Sequence, residues 1–245
     1  MSARRLELAD AVQEYVADGD CVWLGNFGAQ LFAVGHELIR QGRRDLHLVI
    51  ASGGLLLDEL LAAGVAAEVT FSHCWSPVGP RPTPSFRAAW QDGSAVRWHE
   101  LSFGMLVAAL GAGAAGVPFA PVAVSPDVGY HEWSRECLAA VDTPFGAATV
   151  VRALAPDVAF VHADHAGEHG DAVLVTPLGE SLLAVQAARR AIVVAEQLVA
   201  GVPAAVQIPG MLVDAIVQVP GAVAPDGAPS RYERDVEAYL AFGVA

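Results

Sequence analysis

Val158-Ala159-Phe160-Val161-His162-Ala163-Asp164-His165-Ala166-Gly167-Glu168-His169-Gly170-Asp171 is an apolar run that leads into six ionisable residues at the ten positions from His162 to Asp171. Two readings compete. On a helix, His162, His165 and His169 would share one face, as spacings of three and four residues do, and that face would be a metal site. The entry through Val158–Val161 has the short, β-rich character of a buried strand, and Gly167 and Gly170 break a helix. A three-histidine site also needs ligand directions fixed by partners behind them, which a polar turn supplies poorly. We therefore read a strand ending at Val161, followed by a structural turn, and expect no metal.

The same grammar extends outward. Leu8, Val12, Tyr15 and Val16 share a helical face, and Gly19-Asp20 turns into a strand over Cys21 to Leu24. A helix across Leu31 to Arg40, a strand over Leu46 to Ile50, a helix over Leu55 to Ala63 and a strand over Ala67 to Phe71 follow. Pro80, Pro82 and Pro84 mark a stiff surface loop. A short strand over Val96 to Trp98 and an Ala/Gly-rich helix over Phe103 to Ala115 come next, then an irregular stretch over 125–147. Val173–Val175 and Ile192–Ala195 read as strands, with a helix over Ser181 to Arg190 between them and a polar helical tail over Arg231 to Tyr239. Strands alternating with helices predict an α/β fold, with an open, mostly parallel sheet flanked by helices in one domain over 1–245.

Composition narrows the function. At 54% hydrophobic and 17% charged residues the chain can bury a sizeable core. A net charge of −13 argues against a nucleic-acid surface. The apolar runs are too interrupted to span a bilayer, and Glu7, Asp10 and Glu14 break any signal-peptide core, so a cytoplasmic protein is expected. All 14 basic residues are Arg, which fits a GC-rich genome and excludes any lysine Schiff base. Cys21, Cys74 and Cys137 are scattered and read as buried free thiols.

Two glycine loops stand where strands give way to helices. Gly25-Asn26-Phe27-Gly28 follows the strand over Cys21 to Leu24, and Ser52-Gly53-Gly54 follows the strand over Leu46 to Ile50. Such turns aim backbone N–H groups at an anion, and in open parallel sheets ligands gather beyond the carboxyl ends of the strands. Nucleophiles are scarce. Gly179-Glu180-Ser181 is no nucleophile elbow, and the adjacent side chains of His73 and Cys74 point apart on a strand. Glu196, at the end of an apolar strand, reads as a structural hydrogen-bond acceptor, with a carboxylate of raised pKa as the alternative.

Several segments together resemble the A (α) subunits of family I coenzyme A transferases. They are Gly25-Asn26-Phe27-Gly28 with Gly42-Arg43-Arg44-Asp45-Leu46; Gly111-Ala112-Gly113-Ala114-Ala115-Gly116-Val117-Pro118-Phe119; and Ala153 to Ala163, which is similar to the family's AL-x-PDVA strand. The His169-Gly170-Asp171 turn, Ala187 to Glu196, Ile208-Pro209-Gly210, Val213 to Val217 and Arg231 to Asp235 follow in the family's order.

The resemblance implies a heteromer with a B subunit, in the form of a heterodimer or heterotetramer, acting on an acyl-CoA and a carboxylic acid. Coenzyme A is then a substrate, with no permanently bound cofactor. It also implies that the nucleophile is a glutamate of the B subunit, in an E-x-G sequence after a strand. Glu168-His169-Gly170 fits those letters but lies in the turn, so no catalytic residue is expected in this chain. Gly25 to Gly28, Ser52 to Gly54 and Ser72 are the candidates for shaping the site. Within the same superfamily, steroid-ring hydrolases place a glutamate before the Gly-Met-Leu that begins the Ala-rich helix. Here Phe103 precedes Gly104-Met105-Leu106, and a phenyl ring cannot move a proton. Phe103 and Gly104 therefore join the candidate site. The alternatives are the ring-opening hydrolase and a non-catalytic scaffolding subunit.

Overall fold

Apolar residues spaced for one-sided burial place four successive helices on a single face of a parallel sheet. The fold is taken from a computed structural model that describes residues 3–25, 30–79, 83–93, 95–124, 129, 134–175 and 177–242. The first half runs β1 (Arg4–Leu6), α1 (Leu8–Tyr15), β2 (Cys21–Leu24), α2 (Phe32–Arg40), β3 (Leu46–Ser52), α3 (Gly54–Ala62), β4 (Ala66–His73), α4 (Pro84–Gln91), β5 (Arg97–Glu100) and α5 (Phe103–Ala114). β6 (Phe119–Val122), β7 (Leu138–Thr143), β8 (Gly146–Arg152), β9 (Val158–Gly167), β10 (Ala172–Leu174), α6 (Ser181–Ala187), β11 (Arg190–Val199), β12 (Ala215–Gln218) and α7 (Val236–Ala241) complete it.

A nine-stranded sheet has the order β1-β12-β11-β9-β2-β3-β4-β5, with β10 paired to β9 off this path. Every pairing along the path is parallel, whereas β10 runs antiparallel to β9. Strand side chains alternate between two cores. Val22, Leu24, Val158 and Phe160 pack with α1 to α3 on one face, where Phe86 and Trp90 of α4 also rest. Trp23, Ala159 and Val161 face α5 and α6 on the other. α5 is apolar all round because it lies between the main sheet and a three-stranded sheet, β6-β8-β7.

The expected fold is present, with several local differences. β9 does not end at Val161 but runs to Gly167, so His162, Asp164 and His165 are strand residues and only 168–171 form the turn. The strand continues because its polar side chains find partners: His162 with Glu196, and Asp164 with His165 and Arg231. The turn is structural, as Asp171 Oδ1 accepts from Gly210 N at 3.0 Å. Pro84 starts a helix instead of prolonging a loop, since proline suits a first helical turn. The stretch read as irregular holds β7 over 138–143 and the start of β8, which pairs with it as a hairpin and runs on to Arg152; 125–128 and 130–133 lie outside the described residues. α6 stops at Ala187 because β11 already begins at Arg190, and the tail is helical only over Val236–Ala241.

Two glycines of α5 make a matched pair. A Cβ on Gly113 would collide with the carbonyl of Leu154 and meet Ala187 Cβ at 3.2 Å, whereas one on Gly111 would meet nothing within 4 Å. Alanine normally stabilises a helix interior by about 1 kcal/mol over glycine. Gly111→Ala should therefore raise the denaturant midpoint, and Gly113→Ala should lower it despite the same gain in propensity. Equal shifts for both would contradict the close packing at Gly113.

Candidate functional site

Strand order supplies the first constraint. From β2 the sheet grows through β3, β4 and β5 in one direction and from β9 through β11 and β12 in the other. Where order diverges in this way, the adjoining loops open a crevice beyond the carboxyl ends of the strands. β2 pairs with β9 only as far as Leu24 opposite Phe160, and β10 takes the same edge of β9 from Ala163 onward. Gly25 leaves the sheet at that step. Asn26, Phe27 and Gly28 lie outside the described residues.

The second glycine loop is well defined. Gln30 is buried and spans from one loop to the other, its Nε2 donating to Ser52 O at 2.7 Å and its Oε1 accepting from Leu56 N at 3.3 Å. Gly54 makes this possible: its φ of +47° suits glycine, and a Cβ there would lie 2.7 Å from Gln30 Nε2. Gly53 N donates to His73 O at 2.9 Å, which locks the end of β3 to the end of β4. Ser52 Oγ and His73 Nε2 are 3.1 Å apart. Burial lowers the His73 pKa and so disfavours the charged ring.

Ser72 faces the opposite side of β4 from His73, and its Oγ is buried with no hydrogen-bond partner among the described residues. An unsatisfied hydroxyl of this kind is available to a ligand. The next strand end continues the row. Leu101 N donates to Phe71 O at 2.9 Å, and Ser102 caps α5 by accepting from Met105 N at 3.2 Å. Phe103 and Gly104 thus open α5 beside Ser72, and Phe103 is 38% exposed. The described sequence-predicted residues therefore lie along one carboxyl edge, Ser72 and Phe103 with Gly104 toward the α5 side and Ser52 with His73 toward the other.

The tail adds residues that sequence reading missed. His162 Nε2 lies 2.9 Å from Glu196 Oε1, Tyr232 donates its hydroxyl to the same oxygen at 2.6 Å, and Gly221 N donates to Oε2 at 2.7 Å. Burial works against the Glu196 charge, but these three contacts prevail and lower its pKa, which establishes the structural acceptor. The hydrogen bond from Arg231 leads in holding Asp164 down to about 2. These bonds bring Asp226 and Arg234 to the edge, where with Gln30, Ser52, His73 and Trp75 they help line a cavity of about 210 Å³. The only signal was Glu196 at a strand end and the Arg-Tyr-Glu-Arg run, neither of which names its partner.

A larger cavity, about 390 Å³, sits at the amino ends of the same strands between the two sheets. Of the two acids that line it, Glu68 is already engaged, bonding to His99 at 2.7 Å and pairing with Arg97. The crevice rule and both glycine loops favour the carboxyl edge. Thiol chemistry is disfavoured at both ends, because burial pushes Cys21 and Cys74 up to about 12 and Cys137 up to about 11. Among the described residues no three His, Cys, Asp or Glu converge as metal ligands, and no helix is long and apolar enough to cross a membrane.

Beneath the sheet on the α5 side, Glu180 is 1% exposed, and neither of its oxygens has a hydrogen-bond partner among the described residues. Burial pushes this carboxyl up to about 7, and its own backbone N–H and then the nearby indole of Trp23 offset this only in part. The folded state holds the proton more tightly than the unfolded chain, so stability falls as pH rises from about 4.5 through about 7. Glu180→Gln should remove that slope, matching wild type in acid and exceeding it above neutrality. Parallel pH profiles of thermal unfolding for the two proteins would rule this out.

The pattern of the family described as coenzyme A transferase matches residues 5–219. The A component of the 3-oxoadipate CoA-transferase of Pseudomonas knackmussii is 34% identical, across 98% of this chain and 87% of that protein. The cholesterol ring-cleaving hydrolase IpdA subunit of Mycobacterium tuberculosis is 30% identical, across 96% of this chain and 85% of that protein. Among solved structures, that of a variant of the decarboxylase AibA/AibB superposes with a TM-score of 0.89 at 32% identity, covering 98% of this chain and 92% of that one.

Proposed function

The chain belongs to the coenzyme A transferase family as an A-type subunit of a heteromeric enzyme with a B subunit, and we propose that it closes and lines a site whose nucleophile is a glutamate of that partner. The partner carboxylate attacks the acyl-CoA thioester and expels the CoA thiolate, leaving an acyl–glutamyl anhydride. The thiolate then attacks the glutamyl carbonyl, the donor acid departs, and an enzyme–CoA thioester remains. The acceptor carboxylate attacks that thioester, and the returning thiolate takes up the new acyl group while the glutamate is restored.

Each anhydride must be kept from water, which a second subunit over the carboxyl edge accomplishes. The observation that carries this reading is that edge, where the buried Ser72 hydroxyl has no bonded partner among the described residues and Glu196 is consumed by its three donors. Such a hydroxyl can stabilise a developing oxyanion without supplying a nucleophile. Coenzyme A is a substrate here and not a resident group, residues 1–245 act as one unit, and the enzyme works in the cytoplasm. The named acid of the transferase relative makes a short dicarboxylic acid the first to test.

Purified alone, the chain should not move CoA between acids. Joined to its B partner and given an acyl-CoA, the complex should lose activity to hydroxylamine or borohydride through a partner glutamate, located by mass spectrometry. Modification within this chain instead would overturn the division of labour.

The ring-cleaving relative makes Phe103 the discriminating position. Phe103→Glu should weaken CoA transfer and yield no ring-opening hydrolysis. Hydrolysis appearing in that variant would move the chain toward the hydrolases.

A further inference from the structure

Arg234 is held in a way that a merely solvated arginine is not. Its Nε donates to Asp226 Oδ1 at 2.7 Å, and its guanidinium carbon lies 5.6 Å from the centre of the Tyr239 ring. Asp226 is only 4% exposed and Tyr239 is buried, so both supports are fixed. The loop beneath is fixed as well, with Ala228 N bonded to Tyr232 O at 3.0 Å and Asp235 N to Pro225 O at 2.9 Å. Asp226 takes only the Nε side of Arg234, and the side chain lines the cavity beside Ser52, His73 and Trp75. A guanidinium oriented in this way presents a planar pair of donors, the geometry that meets a carboxylate with two parallel bonds.

The chemistry indicates which carboxylate. The carboxylate that reacts must be free to attack, and pairing it with a cation would blunt it. A second carboxylate on the same acid stays anionic through every step and, once the site closes, must exchange water for a fixed positive partner. Arg234 is the one arginine among the described residues lining this cavity; burial disfavours the charged form of His73, and Asp226 already uses Oδ1 on the Nε side. The exposed indole of Trp75 and the ring of Pro77 give the cavity an apolar wall for the carbon chain between the two carboxylates.

We propose that Arg234 binds the non-reacting carboxylate of a dicarboxylic acid substrate, and so selects dicarboxylic over monocarboxylic acids. This rests on the transferase reading and adds to it the residue that recognises the second carboxylate.

The test uses the assembled complex with its B subunit. Adipate and hexanoate, which differ only in the second carboxylate, are titrated calorimetrically into wild type, Arg234→Gln and Arg234→Lys. Wild type should bind adipate more tightly than hexanoate. Arg234→Gln should weaken adipate by about 10- to 100-fold and leave hexanoate unchanged, as a lost charged hydrogen bond does, with Arg234→Lys in between. Because Arg234→Gln strands the buried Asp226, the double variant Asp226→Asn/Arg234→Gln carries the same test if the single one does not assemble. Unchanged adipate affinity, or equal losses for both acids, overturns the proposal. Weakening of free CoA instead would assign Arg234 to a CoA phosphate and overturn it too. Turnover separates the two levels. If wild type binds adipate through Arg234 yet moves no CoA, the transferase reading fails and the carboxylate site stands. If wild type transfers CoA to adipate with the same KM in Arg234→Gln, the proposal fails and the reading stands.

Discussion

The backbone hydrogen bonds of β9 set the terms for the rest of the molecule. A central strand must satisfy donors and acceptors along both edges, and β9 is longer than β2 can cover. One edge is served throughout by β11, from Val158 opposite Arg190 to Gly167 opposite Val199. The other is divided between β2, which stops at Leu24, and β10, which begins opposite Ala166 and ends opposite Ala163. That division takes the chain out of the sheet at Gly25, the point where strand order diverges. β10 contributes no catalytic group, but it takes over the edge that β2 leaves.

Much of this was legible in sequence. Apolar runs flanked by turn residues mark β2, β3 and β4, and the 3.6-residue spacing marks α1 to α3, because those elements bury uninterrupted apolar faces. Where burial relies on distant polar partners, local pattern misleads. His162, Asp164 and His165 read as a solvated turn because nothing near them in sequence reveals Glu196 or Arg231. The β6–β8–β7 sheet escapes notice for a related reason. It buries one face on α5 and leaves Phe145 at its hairpin tip 99% exposed, so its residues lack the signature of a core strand.

The candidate site divides in the same way. Ser52-Gly53-Gly54 is visible as a strand-to-helix turn, and Ser72 as a residue at a strand end. Gln30 and Arg234 are not, although the former bolts two loops together and the latter enters the cavity. Each is defined by what it touches across 22 and 8 residues of chain respectively, Ser52 for one and Asp226 for the other. Sequence periodicity reports faces of elements, whereas a site is made of their ends, where periodicity stops.

The close approach of Gly113 to the Leu154 carbonyl also bears on how such a site can change over evolutionary time. Ala109 O accepts from Leu154 N at 2.9 Å, so the far half of α5 is tied by backbone alone to the segment leading into β9. A helix held backbone to backbone cannot slide to make room for a new residue at its opposite end. Divergence at the Phe103 end must therefore proceed by exchanging side chains over a stationary frame. On such a frame, one position at the mouth of α5 can be altered without disturbing the positions of Ser52, Ser72 or the tail.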